Sequence, residues 1–109
     1  MSTAAVFDRH LGAFAQGLDA VLADYDAAAV VITPDAVHHG VEEIRQFFAG
    51  FLAEATSEFW AAFRVETRQV AGEVAYLVWS AAPFVTRATD TLLVRDDRIL
   101  VQTFTPFHG

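Results

Sequence analysis

Apolar and polar residues alternate through V-T-R-A-T-D-T-L-L-V-R, break at Asp96-Asp97, and alternate again through R-I-L-V-Q-T-F-T-P-F. That period of two predicts a β-hairpin over the last quarter of the chain, from Phe84 to His108. Successive strand side chains point to opposite sides, so Ala88, Asp90, Leu92 and Val94 share one face. A carboxylate on an otherwise apolar face is unexpected, because desolvating it is costly unless something pairs with it. Which residue faces Asp90 depends on the turn. A three-residue loop of Arg95, Asp96 and Asp97 sets Gln102 opposite it and places Leu100 and Phe104 on the same side. A two-residue loop brings Thr103 opposite instead and turns Gln102 outward.

Earlier in the chain the period is different. Phe7, Leu11 and Phe14 fall at i, i+4 and i+7, joined by Val6 and His10, and predict an amphipathic helix over Thr3 to Gln16 with Gly17 as its stop. His10 lies at the edge of that stripe and is expected to be a packed or half-exposed histidine. Leu18, Val21, Leu22 and Tyr25 repeat the spacing in a second, short helix. The run A-A-A-V-V-I-T then reads as a strand, Pro34-Asp35 as a turn, and A-V-H-H as a short hairpin partner. Gly40 opens the clearest helix, with Glu42 and Glu43 in its first turn, where negative charge complements the helix dipole. Val41, Ile44, Phe48, Phe51 and Ala55 mark its buried face, widened by Phe47 and Leu52. Such a broad aromatic face calls for a broad partner, such as a concave sheet.

The rest reads as strand. Phe59, Ala61, Phe63 and Val65 alternate with Arg64, Glu66 and Arg68, whose charges are expected on a solvated face. V-A-Y-L-V-W-S-A-A is apolar on both faces, Val74, Tyr76 and Val78 on one and Ala75, Leu77 and Trp79 on the other. A two-sided apolar strand in so small a protein predicts a second copy against the outer sheet face. The order is helix, helix, two strands, helix, four antiparallel strands: an α+β roll with three helices on the concave face of a curved antiparallel sheet.

Composition narrows the classes. The 109 residues make one domain, 1–109, and 54% hydrophobic against 19% charged residues exclude a disordered chain. Ten phenylalanines fill a core or line an apolar cavity. A net charge of −7 with no basic cluster argues against nucleic acid and anionic membrane surfaces. The absence of cysteine excludes disulfides, thiolate metal sites and Cys nucleophiles. The N-terminal sequence lacks the features of a signal peptide and no apolar run reaches a membrane span, so a cytoplasmic protein is expected. His38 and His39 are adjacent on a strand and point apart, which disfavours a shared metal. Neither metal nor cofactor is expected.

Three strings carry a resemblance: L-D-A-V-L-A-D-Y-D-A-A-A-V-V-I-T-P, H-H-G-V-E-E-I-R-Q-F-F, and T-R-A-T-D-T-L-L-V-R-D-D-R-I-L-V-Q-T-F. Spanning most of Leu18 to Phe104, they resemble the nuclear-transport-factor-2-like superfamily in its SnoaL-like, ketosteroid-isomerase-like branch. The resemblance implies a cone-shaped domain with a deep pocket between sheet and helices, and dimers are common among its members. Members include isomerases, dehydratases, epoxide hydrolases, cyclases and proteins that only bind, so the fold assigns no reaction. Relatives tend to carry glycine where this chain has Asp97, which favours the three-residue loop. The isomerase's base, an Asp before a Pro, is replaced by Thr33 before Pro34. Its oxyanion tyrosine falls near Arg9, and only its oxyanion aspartic acid finds a match, at Asp90. The acid of the SnoaL-like cyclases has no counterpart, since Thr103 and Thr105 occupy that neighbourhood.

The expected site therefore centres on Asp90, as acid/base or oxyanion donor, with Gln102, Phe104, Phe14, Phe48, Tyr25, Leu92 and His38 lining a pocket for a hydrophobic small molecule. Its chemistry would be cofactor-free isomerisation, cyclisation or hydrolysis. The alternatives are a ligand-binding or structural homodimer without turnover, in which Asp90 merely organises the sheet, and an accessory subunit using the outer sheet face around Trp79.

Overall fold

The computed structural model describes residues 2–108. Ten elements follow in order: α1 (Thr3–Ala13), α2 (Leu18–Leu22), β1 (Tyr25–Ile32), β2 (Val37–His39), α3 (Gly40–Glu54), α4 (Ser57–Ala62), β3 (Arg64–Ala71), β4 (Val74–Ala81), β5 (Val85–Arg95) and β6 (Arg98–Phe107). The strands form one sheet ordered β2-β1-β6-β5-β4-β3. Helices α1, α3 and α4 pack on the sheet, and α2 bridges α1 to α3. This is the expected α+β roll, with two amendments. There are four helices rather than three among the described residues, and the sheet is mixed, because β1 runs parallel to β6.

The extra helix is α4, over residues read as strand. Alternation of Phe59, Ala61 and Phe63 loses to local capping: the Thr56 hydroxyl accepts from the Phe59 N–H at 3.2 Å, and Glu58 sits in the first turn. Helical winding then turns Phe59 inward against Trp79, with ring centroids 5.9 Å apart. Tyr25 departs from its expected place as well. It begins β1 instead of ending α2, paired with Ile99 of β6.

Helix α3 begins where the chain reverses at Gly40, whose φ of 78° lies in the region that side-chain-bearing residues avoid. Glu43 reaches back to accept from the His39 N–H at 2.9 Å, which satisfies a donor left over at the helix start. Ile44 and Phe48 are buried on its inner face. They meet Val6 and Phe7 of α1 and Ala75, Leu77, Trp79, Ala88 and Leu92 of the sheet in one apolar core. Trp79 thus faces inward. The outer face carries Val74 and Tyr76, which are 40% and 38% exposed, so the apolar patch lies there and not around Trp79. Strand β3 is an edge strand and solvated almost throughout, as its Arg64, Glu66 and Arg68 anticipate.

Strands β5 and β6 follow neither register weighed above. Asp96 (φ 52°) and Asp97 (φ 65°) form a two-residue turn with Arg95 opposite Arg98. That turn alone would set Asp90 against Thr103. The pairing then shifts between Val94↔Ile99 and Leu93↔Val101, leaving Leu100 as an extra residue in β6. One added residue restores the parity that the shorter turn removed. Asp90 lies opposite Phe104 and Leu92 opposite Gln102, so Asp90, Leu92, Gln102 and Phe104 all face the core.

Candidate functional site

A cavity of about 520 Å³ opens between the sheet and helices α1, α3 and α4. Its walls are mainly aromatic: Phe14 at the C-terminal cap of α1, Phe48 and Phe51 from α3, Trp60 from α4, and Phe104 from β6. Edge-to-face contacts lock several of these rings, with Phe14–Phe48 centroids at 5.7 Å and Phe51–Phe104 at 6.0 Å. The polar part of the lining comes from Asp90, Gln102, Trp79 and His10.

Asp90 is 8% exposed and receives a hydrogen bond on each oxygen. The indole Nε1–H of Trp79 donates to Oδ1 at 2.9 Å, and the amide Nε2–H of Gln102 donates to Oδ2 at 2.8 Å. Burial penalises the charged form and raises the Asp90 pKa from 3.8 to about 6, against the pull of these two donors in the other direction. Near neutrality the group is therefore mostly a carboxylate, with a protonated fraction on demand. It is poised where a proton can be taken or given.

From Gln102 the hydrogen bonds continue away from Asp90. Gln102 Oε1 accepts from the Tyr25 hydroxyl. Tyr25 Oη lies 3.2 Å from His10 Nε2, and His10 Nδ1 lies 3.0 Å from Asp24 Oδ2. The second Asp24 oxygen accepts from Arg9 Nε at 2.6 Å. Burial works to raise the Asp24 pKa, but the hydrogen bonds and charges of His10 and Arg9 outweigh it and hold the carboxyl below its usual range. Burial, then the charges of Asp90 and Asp24, push the Tyr25 phenol well above its ordinary value, so it keeps its proton. Among the described residues every buried side-chain nitrogen or oxygen has a hydrogen-bond partner.

Of the residues expected at the site, Asp90, Gln102, Phe104, Phe14, Phe48 and Leu92 line this cavity together. Tyr25 stands one layer back, touching it through Gln102. His38 is not brought to it: its ring packs on Phe47 at 4.7 Å, outside the lining. His10, Asp24 and Trp79 join the polar network although the sequence does not mark them as site residues. An apolar helix stripe carrying a histidine, and an acid directly before Tyr25, were the available signals. Neither says that residues 14 apart would meet. Among the described residues no group of three His, Asp or Glu side chains is placed to hold a metal ion, and no helix is long and apolar enough to cross a membrane.

No family model matches the chain, and no curated protein matches it. Solved structures do. An NTF-2 like protein of unknown function from Burkholderia xenovorans superposes with TM-score 0.76 at 17% identity, covering 98% of this chain and 84% of that one. A SnoaL-like protein of unknown function from Burkholderia thailandensis gives TM-score 0.74 at 14% identity, covering 91% and 89%. A proposed polyketide cyclase from Sinorhizobium meliloti gives TM-score 0.72 at 21% identity, covering 91% and 92%. At these identities the likeness establishes the fold.

Proposed function

We propose, from a nuclear-transport-factor-2-like, SnoaL-like fold with this cavity, that the protein binds a hydrophobic small molecule and that Asp90 acts on it as a general base. One observation carries the reading: a buried carboxylate, held by two N–H donors at a pKa of about 6, lines an aromatic cavity of about 520 Å³. Both donors stabilise the ionised form, which favours base over oxyanion donor. The fitting chemistry is removal of a proton beside a carbonyl, leading to isomerisation or cyclisation. The aromatic walls would hold the apolar body of the ligand and exclude water around the reacting atom. The test is a panel of small carbonyl, epoxide and aromatic compounds assayed for turnover and for binding. Turnover should rise with pH through about 6 as Asp90 ionises and vanish in Asp90→Asn. Activity that instead falls with rising pH would make Asp90 an acid.

A second reading has its own support. Both Asp90 oxygens are already satisfied by Trp79 and Gln102, which suits a binding protein that uses the carboxylate to organise its wall. Binding without turnover, equal in wild type and Asp90→Asn, would select it. For assembly, the exposed Val74 and Tyr76 on the outer sheet face support a homodimer. Light scattering should then give twice the 11.9 kDa chain mass, and Tyr76→Glu should give a monomer.

A further inference from the structure

We propose that His10 and Asp24, acting through Tyr25 and Gln102, set the protonation of Asp90 from the far end of a hydrogen-bonded line. The three intermediate groups form an unbroken hydrogen-bonded line from Asp24 to Asp90. This rests on Asp90 being the cavity's titrating group, but not on any reaction there.

The argument is one of donors and acceptors. An ionised Asp90 only accepts, so the Gln102 NH₂ must face it and Oε1 must face Tyr25. The Tyr25 proton then points to Gln102, and its oxygen can only receive from His10 Nε2. Asp24, held ionised, receives from His10 Nδ1. A His10 ring with N–H groups on both nitrogens is therefore what completes the line when Asp90 carries no proton. Now protonate Asp90. Its hydroxyl donates to Gln102 Oε1, the amide having turned over; Gln102 NH₂ donates to the Tyr25 oxygen; and Tyr25 donates to His10 Nε2, which must be bare. The two arrangements hold the same number of protons, one having passed from His10 to Asp90. Each satisfies every group in the line. With Arg9 and Asp24 included, both are also electrically neutral. Mixed arrangements leave two donors or two lone pairs face to face in a buried place, the exception being an Asp90 proton turned into the cavity, which leaves the line as it stands with Asp90 ionised.

The groups facing Asp90 leave little room for another controller. Strands β4 and β6 present neutral Trp79 and Gln102, and β1 presents Tyr25. Around His10 stand Asp24, Tyr25 and the Phe14 ring, with Arg9 on the far side of Asp24. Arg9 and Asp24 also border a second, polar cleft with Arg98. The line thus joins the aromatic cavity to a cleft on the other side of α1. His10, Tyr25 and Gln102 are positioning residues in this scheme.

The sign of one substitution separates the scheme from simple electrostatics. Removing a negative charge by Asp24→Asn should, through space alone, lower the Asp90 midpoint. The line requires the reverse, because His10 without its carboxylate gives up a proton and Asp90 keeps one. The experiment follows the Asp90 side-chain carbon and the His10 ring nitrogens by NMR across pH 4–9, without ligand. In wild type both should report the same two steps, as coupled groups do. In Asp24→Asn the Asp90 midpoint should rise by about one pH unit; in Tyr25→Phe the shared steps should separate, and adding Asp24→Asn should no longer raise Asp90. A lowered or unmoved Asp90 midpoint in Asp24→Asn overturns the proposal. Should Asp24→Asn not fold, persistence of both steps in Tyr25→Phe does so alone. Turnover plays no part, so an inactive protein with coupled signals would refute the reading of Asp90 as catalytic base and leave this one standing.

Discussion

Replacing Asp90 by asparagine should stabilise the protein at pH 8 and bring no such gain at pH 4. The folded chain holds the Asp90 proton up to a pKa of about 6, against 3.8 ordinarily. Between those values the folded state binds the proton more tightly than the unfolded one. This group's contribution is therefore most favourable below pH 4 and declines as pH rises through about 6. A difference of about two units corresponds to roughly 3 kcal/mol at pH 8. Asparagine keeps the oxygen that accepts from Trp79 Nε1–H. Its amide, however, would meet the Gln102 amide donor to donor unless Gln102 turns over, and any residual mismatch subtracts about 1–2 kcal/mol. The net gain at pH 8 is then about 1–3 kcal/mol, or roughly 4–12 °C in Tm for a domain of this size. Asp24, whose lowered pKa acts in the opposite direction, is present in both proteins. Urea unfolding followed by tryptophan fluorescence at pH 4, 6 and 8 measures the difference directly. An Asp90→Asn protein less stable than wild type at pH 8, or a difference that does not change with pH, would refute the reasoning.

Two other expectations concern single contacts. Trp79→Phe keeps a ring beside Phe104, where the indole now stacks at 6.0 Å, but removes a donor from Asp90. The Asp90 midpoint should climb by a further one unit or so, read from its side-chain carbon by NMR; an unmoved midpoint would mean that the indole N–H does not hold the charge. At the β5–β6 turn, both aspartates adopt positive φ, a geometry that Asn-Gly meets at lower cost. Asp96→Asn combined with Asp97→Gly should stabilise by about 0.5–1 kcal/mol in urea titrations, and a loss of stability would contradict the two-residue turn.

Much of the architecture was legible because it rests on periodicity. The stripes of α1 and α3, the inward set Ala88, Asp90, Leu92 and Val94, and the two-faced strand β4 all follow from period alone. A three-residue loop puts Gln102 and Phe104 on the Asp90 side, but it is a shorter turn and an extra residue at Leu100 that give this parity in the folded chain. A bulge changes the count of residues without leaving a mark on hydrophobic pattern, so no reading of alternation can see it. Helix α4 was missed because Phe59, Ala61 and Phe63 fit a strand, while the decisive term was one hydroxyl, that of Thr56. The line from Asp24 to Asp90 was illegible for a different reason. It joins α1, β1, β6 and β5 through side chains whose neighbours exist only after folding.

Leu100 lends the site a particular kind of fragility. Its side chain is half-buried and takes no part in the polar network, so exchanging it for another aliphatic residue changes little. Its presence as a place in the chain is another matter. Draw Leu100 into the ladder opposite Leu93 and every residue beyond it in β6 reverses: Gln102 and Phe104 leave the cavity, and Val101 and Thr103 enter it; delete it, and Ile99 leads straight to Val101 with the pairing beyond unchanged. The cavity wall depends here on counting more than on chemistry. Descendants of this sequence are thus freer to drop the bulged residue than to flatten the bulge around it.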